Sequence, residues 1–183
     1  MKKLAYFIFF ATISFLVSCG GEGNPKPSSK EILIDRPWEG YLLSVSANTT
    51  NPTFEILIEN ALSITLPYET SEDLSNLTVT FKEDGTLTFK LGNNPEQNGT
   101  WALLENNTKI KLVGPFEAIY AELLAQLPDE VTPPPFPESF IIEELTDTGL
   151  KIKATITWDV NYNVPPQIVI PMKAEVKAEL KRI

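Results

Sequence analysis

The 183-residue sequence has no histidine and a single cysteine, Cys19. Ser-His-Asp and Cys-His catalysis, zinc sites built on His or Cys, haem ligation through His, and disulfides within the chain all lack their atoms. Cations are scarce too: 15 Lys and Arg stand against 24 Asp and Glu, a net charge of −9. That balance disfavours a nucleic-acid partner, because neutralising phosphates needs clustered Lys and Arg. It does not nominate a cationic substrate, since solvated surface is the ordinary use of acidic residues. Carboxylates, hydroxyls, amides, Lys, Arg and aromatics remain. With 43% hydrophobic and 21% charged residues, they suffice for one globular domain.

The only long apolar run is at the start. Lys2 and Lys3 precede Leu4 to Val17, interrupted by Thr12 and Ser14. This run is shorter than the roughly 20 residues that cross a bilayer and suits a signal peptide, residues 1–18. It ends in Leu16-Val17-Ser18-Cys19, which resembles a bacterial lipoprotein lipobox. The resemblance implies cleavage before Cys19 and acylation of that cysteine, hence a membrane partner held through lipid. Loss of Lys2 and Lys3 would leave 13 basic against 24 acidic residues, a net charge of −11. Gly20 after the cysteine, in place of an acidic residue, implies in the lipoprotein pattern the outer membrane; it leaves periplasmic or surface facing open. Residues 19–30, rich in Gly, Pro and Ser, read as a flexible tether.

Residues 31–183 read as one all-β domain. Phe54, Ile56 and Ile58 alternate, then Leu62, Ile64 and Leu66, then Leu77, Val79 and Phe81. Asp84-Gly85 marks a hairpin into Leu87, Phe89 and Leu91. A run from Asn98-Gly99 through Trp101 and Leu103 turns at Asn106-Asn107 into Ile110 and Leu112. Leu150, Ile152, Ala154, Ile156 and Trp158 form a longer strand. Eight or more strands in up-and-down order predict an antiparallel barrel or sandwich. The C-terminal Met172 to Lys181 has helix-forming residues, yet its apolar positions recur with period two. As a helix it would also stack Lys173, Lys177 and Lys181, so it is expected to be a strand. Pro171 is expected to mark an edge or a bulge.

One segment has the helical period instead: Phe116, Ile119, Tyr120, Leu123, Leu124 and Leu127. Pro115 suits its first turn, Pro128 ends it, and Pro133, Pro134, Pro135 and Pro137 stiffen the stretch behind it. Residues 114–139 are therefore read as an insertion that buries its apolar stripe against the barrel. It is either a plug, the preferred reading, or a lid.

Several of these motifs together, Leu77 to Phe89 with its Asp-Gly-Thr, Asn98-Gly-Thr-Trp-Ala-Leu-Leu104, Lys109 to Leu112, and Phe140 to Lys153 with its Ile-Glu-Glu-Leu-Thr, resemble the lipocalin-like domain of Bacteroidetes lipoproteins. The resemblance covers about residues 38 to 158 and implies a small antiparallel, calycin-type barrel. The chain departs from the pattern in its first strand, where Gly40-Tyr41-Leu42 lacks the usual Gly-x-Trp and Trp38 sits two residues earlier. The helix and proline insertion is a further departure.

Carboxylate pairs suited to glycoside hydrolysis are Glu83 with Asp84, Glu143 with Glu144, and Asp129 with Glu130. Neighbours on a strand point to opposite faces, so none converges, and no catalytic residue is assigned. Asp159-Val-Asn-Tyr-Asn163 opens like a calcium loop, but Val164 and Ile170 stand where Gly and Glu are needed. It reads as a turn, and neither metal nor cofactor is expected. Phe54, Phe81, Phe89, Trp101 and Trp158 share the phase of the apolar faces. They either fill a core or line a cavity for a small hydrophobic or amphipathic ligand. Trp38 or Tyr162, if exposed near element ends, would instead serve a surface glycan-binding lipoprotein. A third reading is an envelope module that binds another protein.

Overall fold

Most of the alternating segments become strands in the computed structural model, which describes residues 26–55, 68–125, 132–162 and 168–183. The elements are α1 (Ser29–Ile34), β1 (Trp38–Thr49), a 3-10 turn (Pro52–Phe54), β2 (Tyr68–Asp73), β3 (Leu77–Phe81), β4 (Thr86–Leu91), β5 (Gln97–Leu104), β6 (Lys109–Val113), α2 (Pro115–Leu124), β7 (Phe140–Leu145), β8 (Gly149–Tyr162) and β9 (Ile168–Arg182).

Every strand pairing is antiparallel. Strands β3 to β9 pair in chain order, and β1 joins β3 to β9, closing an eight-stranded, lipocalin-like barrel. The β1–β9 seam is long, running from Trp38↔Arg182 to Thr49↔Met172. Strand β2 is the extra one. It continues along β1 beyond β3, but with Leu42↔Asp73 against Trp38↔Val79 the register slips by two residues, and Leu74 to Asn76 bulge between them.

Period-two burial follows the pleat. In β9, Ala174, Val176, Ala178 and Leu180 are buried, while Lys173, Lys177 and Lys181 face outward. The C-terminal segment is therefore a strand, as the charge argument requires. Pro171 stands where β1 ends: its carbonyl accepts from the Thr49 hydroxyl and the Thr50 amide, and β1 needs no ladder donor from it.

Tight turns join the short strands. Between β3 and β4, Gly85 adopts φ 84°, and the Asp84 carboxylate accepts from the Thr86 amide and hydroxyl. Those bonds hold its pKa below the usual carboxylate value. Between β5 and β6, Glu105, Asn106 and Asn107 all have left-handed φ, a conformation that asparagine tolerates. At Gly99 a Cβ would lie 2.4 Å from the Val113 carbonyl oxygen, and Gly114 passes directly over it with φ 118°. Only glycines let the chain leave β6 and enter α2 so close to β5.

The architecture corrects several expectations. Phe54 ends the 3-10 turn, half-buried, and is not on a strand: Pro52 in the turn withholds a ladder donor. Ile56 to Leu66 lie outside the described residues. Asp159 to Tyr162 belong to β8, paired with Pro171 to Ile168, and not to a turn. The tether ends earlier than residue 30, because Ser28 caps α1. Its hydroxyl accepts from the Glu31 amide while the Glu31 carboxylate accepts from the Ser28 amide, a reciprocal capping box. A bulge at Ile142/Glu144 lets both Glu143 and Glu144 reach the outer face, at 2.7 Å from Lys153 and 2.8 Å from Lys151 respectively.

Candidate functional site

The aromatic residues of the apolar faces are the first candidates for a site, and the structure divides them. Phe81 and Trp101 meet edge to face at 5.3 Å, and the Trp101 indole donates to the Lys82 carbonyl. Phe89 meets Phe116 of α2 in the same geometry. All four rings are buried in one continuous core with Leu77, Val79, Leu87 and Ile110. Trp158 is half-buried far along β8, and Phe54 stands apart on its turn. The structure thus buries Phe81, Phe89 and Trp101 in one core, packs the half-buried Trp158 against that core, and leaves Phe54 apart.

Helix α2 lies across the barrel against β2, β5 and β6. Its stripe is buried as the helical period requires: Phe116, Ile119, Tyr120, Leu123 and Leu124. Leu127 lies outside the described residues. The proline stretch folds back over this helix. Phe136 packs edge-on against Tyr120 at 5.5 Å and Phe140 at 5.7 Å, so helix, prolines and β7 share one aromatic run. The Tyr120 hydroxyl donates to the Pro135 carbonyl at 3.4 Å, and burial pushes its pKa up. The Trp158 indole donates to the Thr132 carbonyl at 3.0 Å and ties the stretch to β8.

The opposite end carries a construction that sequence reasoning missed. Trp38, expected to be exposed, is fully buried, and its indole donates to the Leu33 carbonyl at 2.9 Å. Arg182 from the end of β9 stacks on it at 4.4 Å, donates to the Ile32 carbonyl and lies 3.5 Å from Asp35. Leu33 is buried beneath. The Ser28-x-x-Glu31 spacing signals this helix, and without it Trp38 looks like a strand end. The side chain of Tyr162 lies outside the described residues.

Among the clefts formed by described residues, three stand out. One of about 490 Å³ is bounded by Ser28, Lys30, Glu83, Asp84, Leu103 and Asn107. Another of about 270 Å³ lies beside Glu31, Asp35, Asp147 and Arg182, and a dimple of about 150 Å³ separates β2 from α2. Of these three, only the first falls within the roughly 300–1,000 Å³ range of small-molecule sites, and it is open to solvent.

Most of the carboxylates nominated in pairs are held by other partners where they are described. Asp84 is held by Thr86, Glu143 and Glu144 are neutralised by β8 lysines, and Asp129 and Glu130 lie outside the described residues. Among the described residues there is also no cluster of three metal-ligating side chains, and no helix is long and apolar enough to cross a membrane.

Fold and surface together define the class: a closed antiparallel barrel with a short helix at one end and a helix-and-proline insertion at the other. Comparison with protein-family models gives no match, and no curated protein is significantly similar to the chain.

Proposed function

We propose that this protein is a lipid-anchored, non-catalytic envelope lipoprotein of the lipocalin-like kind. Its barrel takes up a small hydrophobic or amphipathic ligand at the insertion end. The observation that carries this is how that end is covered. Apolar strand faces meet a helix and prolines through ring contacts, and the two side-chain hydrogen bonds described there come from Tyr120 and Trp158. Polar bonds are few there, so displacing the segment from the apolar surface would strand few polar groups.

Native mass spectrometry of the protein before and after denaturing release tests the ligand. A co-purified mass in the lipid range is the expected result; absence of any adduct, with no binding of hydrophobic fluorescent probes, removes the carrier reading. Anchoring is tested separately: Cys19→Ala should abolish palmitate incorporation and move the protein to the soluble fraction.

A second reading, an envelope interaction module, is favoured by the tight packing of Phe81, Phe89 and Trp101, which makes the barrel a scaffold whose working surface is outside. It predicts a barrel without adduct and a function that survives substitutions in the core that preserve volume.

A further inference from the structure

The charge of this chain is unevenly spread. Strands β3, β4, β5 and β6 contain no Asp or Glu, although the chain has 24. Their outward positions include Lys90, Ala102, Leu104, Lys111 and Val113, all exposed. Register extends this face onto β7: Leu104 pairs with Lys109, which pairs with Ile141. Neighbouring strands lie about 4.8 Å apart, so the exposed Leu104 and Ile141 flank the half-buried stem of Lys109. Lys109 is neutralised by Glu105 at 2.7 Å, whereas Lys111 meets no carboxylate among the described residues. Across the barrel, β2 carries Glu69, Glu72 and Asp73, all exposed.

The attachment point lies on the same side as the acid-free face. Ser28 and Lys30 share a cleft with Ala102, Leu103 and Asn107 and with Glu83 and Asp84 of the β3–β4 turn, so the chain enters the domain beside the C-terminal end of β5. Eight residues lie between Cys19 and Ser28, a reach of at most about 30 Å when fully extended. A lipid on Cys19 would therefore hold this corner of the barrel within a molecular diameter of the bilayer.

We infer that the outer face of β4–β6 and the start of β7 rests on the anionic phospholipid surface that bears the anchor, with Leu104, Ile141 and Val113 at the interface and Lys111 and Lys90 facing lipid phosphates. This rests on the lipoprotein reading. It orients the barrel, with β2 and its carboxylates directed away from the membrane, where a negative surface would repel them. A basic and apolar face beside a lipid chain is the two-signal arrangement that strengthens membrane attachment.

The test uses the lipidated protein in vesicles of phosphatidylethanolamine and phosphatidylglycerol, with a polarity-sensitive fluorophore on Ala102→Cys or Ser71→Cys. Both positions are exposed, on opposite sides of the barrel, and neither belongs to the core. Nitroxide-labelled lipid should quench the label at 102 several-fold more than that at 71. High salt, Lys111→Glu, or Leu104→Asp with Ile141→Asp should reduce the difference while palmitate incorporation persists. Equal quenching at the two positions in palmitate-labelled protein overturns the inference and leaves the anchor standing. Protection at 102 that needs another envelope protein, and is absent from pure lipid vesicles, overturns it in favour of a protein partner. Absence of palmitate overturns the anchor and the inference with it.

Discussion

The two ends of this barrel are stopped in different ways. At the α1 end, Trp38, Leu33 and Arg182 interlock through directed contacts: indole to carbonyl, guanidinium to carbonyl, cation over ring. Each partner has one good position. At the other end α2 and the proline stretch cover apolar faces mainly through hydrophobic burial and edge-on ring contacts, with few polar bonds. A barrel of this size thus combines an end held by directed polar contacts, where β1 and β9 join, with an end covered mainly by apolar packing.

Four substitutions probe that contrast. Trp38→Ala should have the largest effect, about 3–5 kcal/mol by urea unfolding, because it opens a cavity and leaves Arg182 without its ring. Leu123→Ala should cost about 2–3 kcal/mol, near the low end for buried leucines, since the helix can settle into the space. Equal losses for the two would remove the distinction between the ends. Trp158→Phe deletes the bond to the Thr132 carbonyl and should cost about 1 kcal/mol; its clearer signature is faster amide exchange in α2 with no change near Trp38. The smallest effect belongs to Glu31. The Ser28 amide and hydroxyl hold its folded pKa below the usual carboxylate value. The stabilisation it brings is therefore present above the unfolded pKa and lost as pH falls through the folded one. Wild-type protein should lose slightly more melting temperature than Glu31→Gln on acidification from about pH 5 to pH 3. Parallel acid profiles would remove the capping box from the α1 end.

The strands were legible where one rule sufficed. Period two identified β3, β4, β8 and β9, and Asp84-Gly85 placed a hairpin because positive φ there needs glycine. The helix showed its 3.6-residue period against that background. What was not legible depended on partners distant in sequence. Strand β2, with its polar Tyr68 to Asp73, has almost no apolar face and is a strand because β1 offers it a ladder. Trp38 is buried because Arg182, at the other end of the domain, lies over it. The bulge beside Glu143 reverses the alternation that argued against two acids on one face, and no residue type there announces it. Of the candidate cavity, sequence phase identified Phe81, Phe89 and Trp101 as inward-facing, but phase alone does not say whether rings meet one another or surround a space.

The seam between β1 and β9 has a consequence in time. Residues 38 to 49 are made long before residues 168 to 182, which complete their pairing. Until residues 168 to 182 emerge, β8 also lacks its partner along all fourteen paired positions. Contacts this remote in sequence close slowly, and an incomplete chain exposes two unpaired edges. A chain lacking this final strand would leave β1 and β8 each with an open edge and would not be a closed barrel.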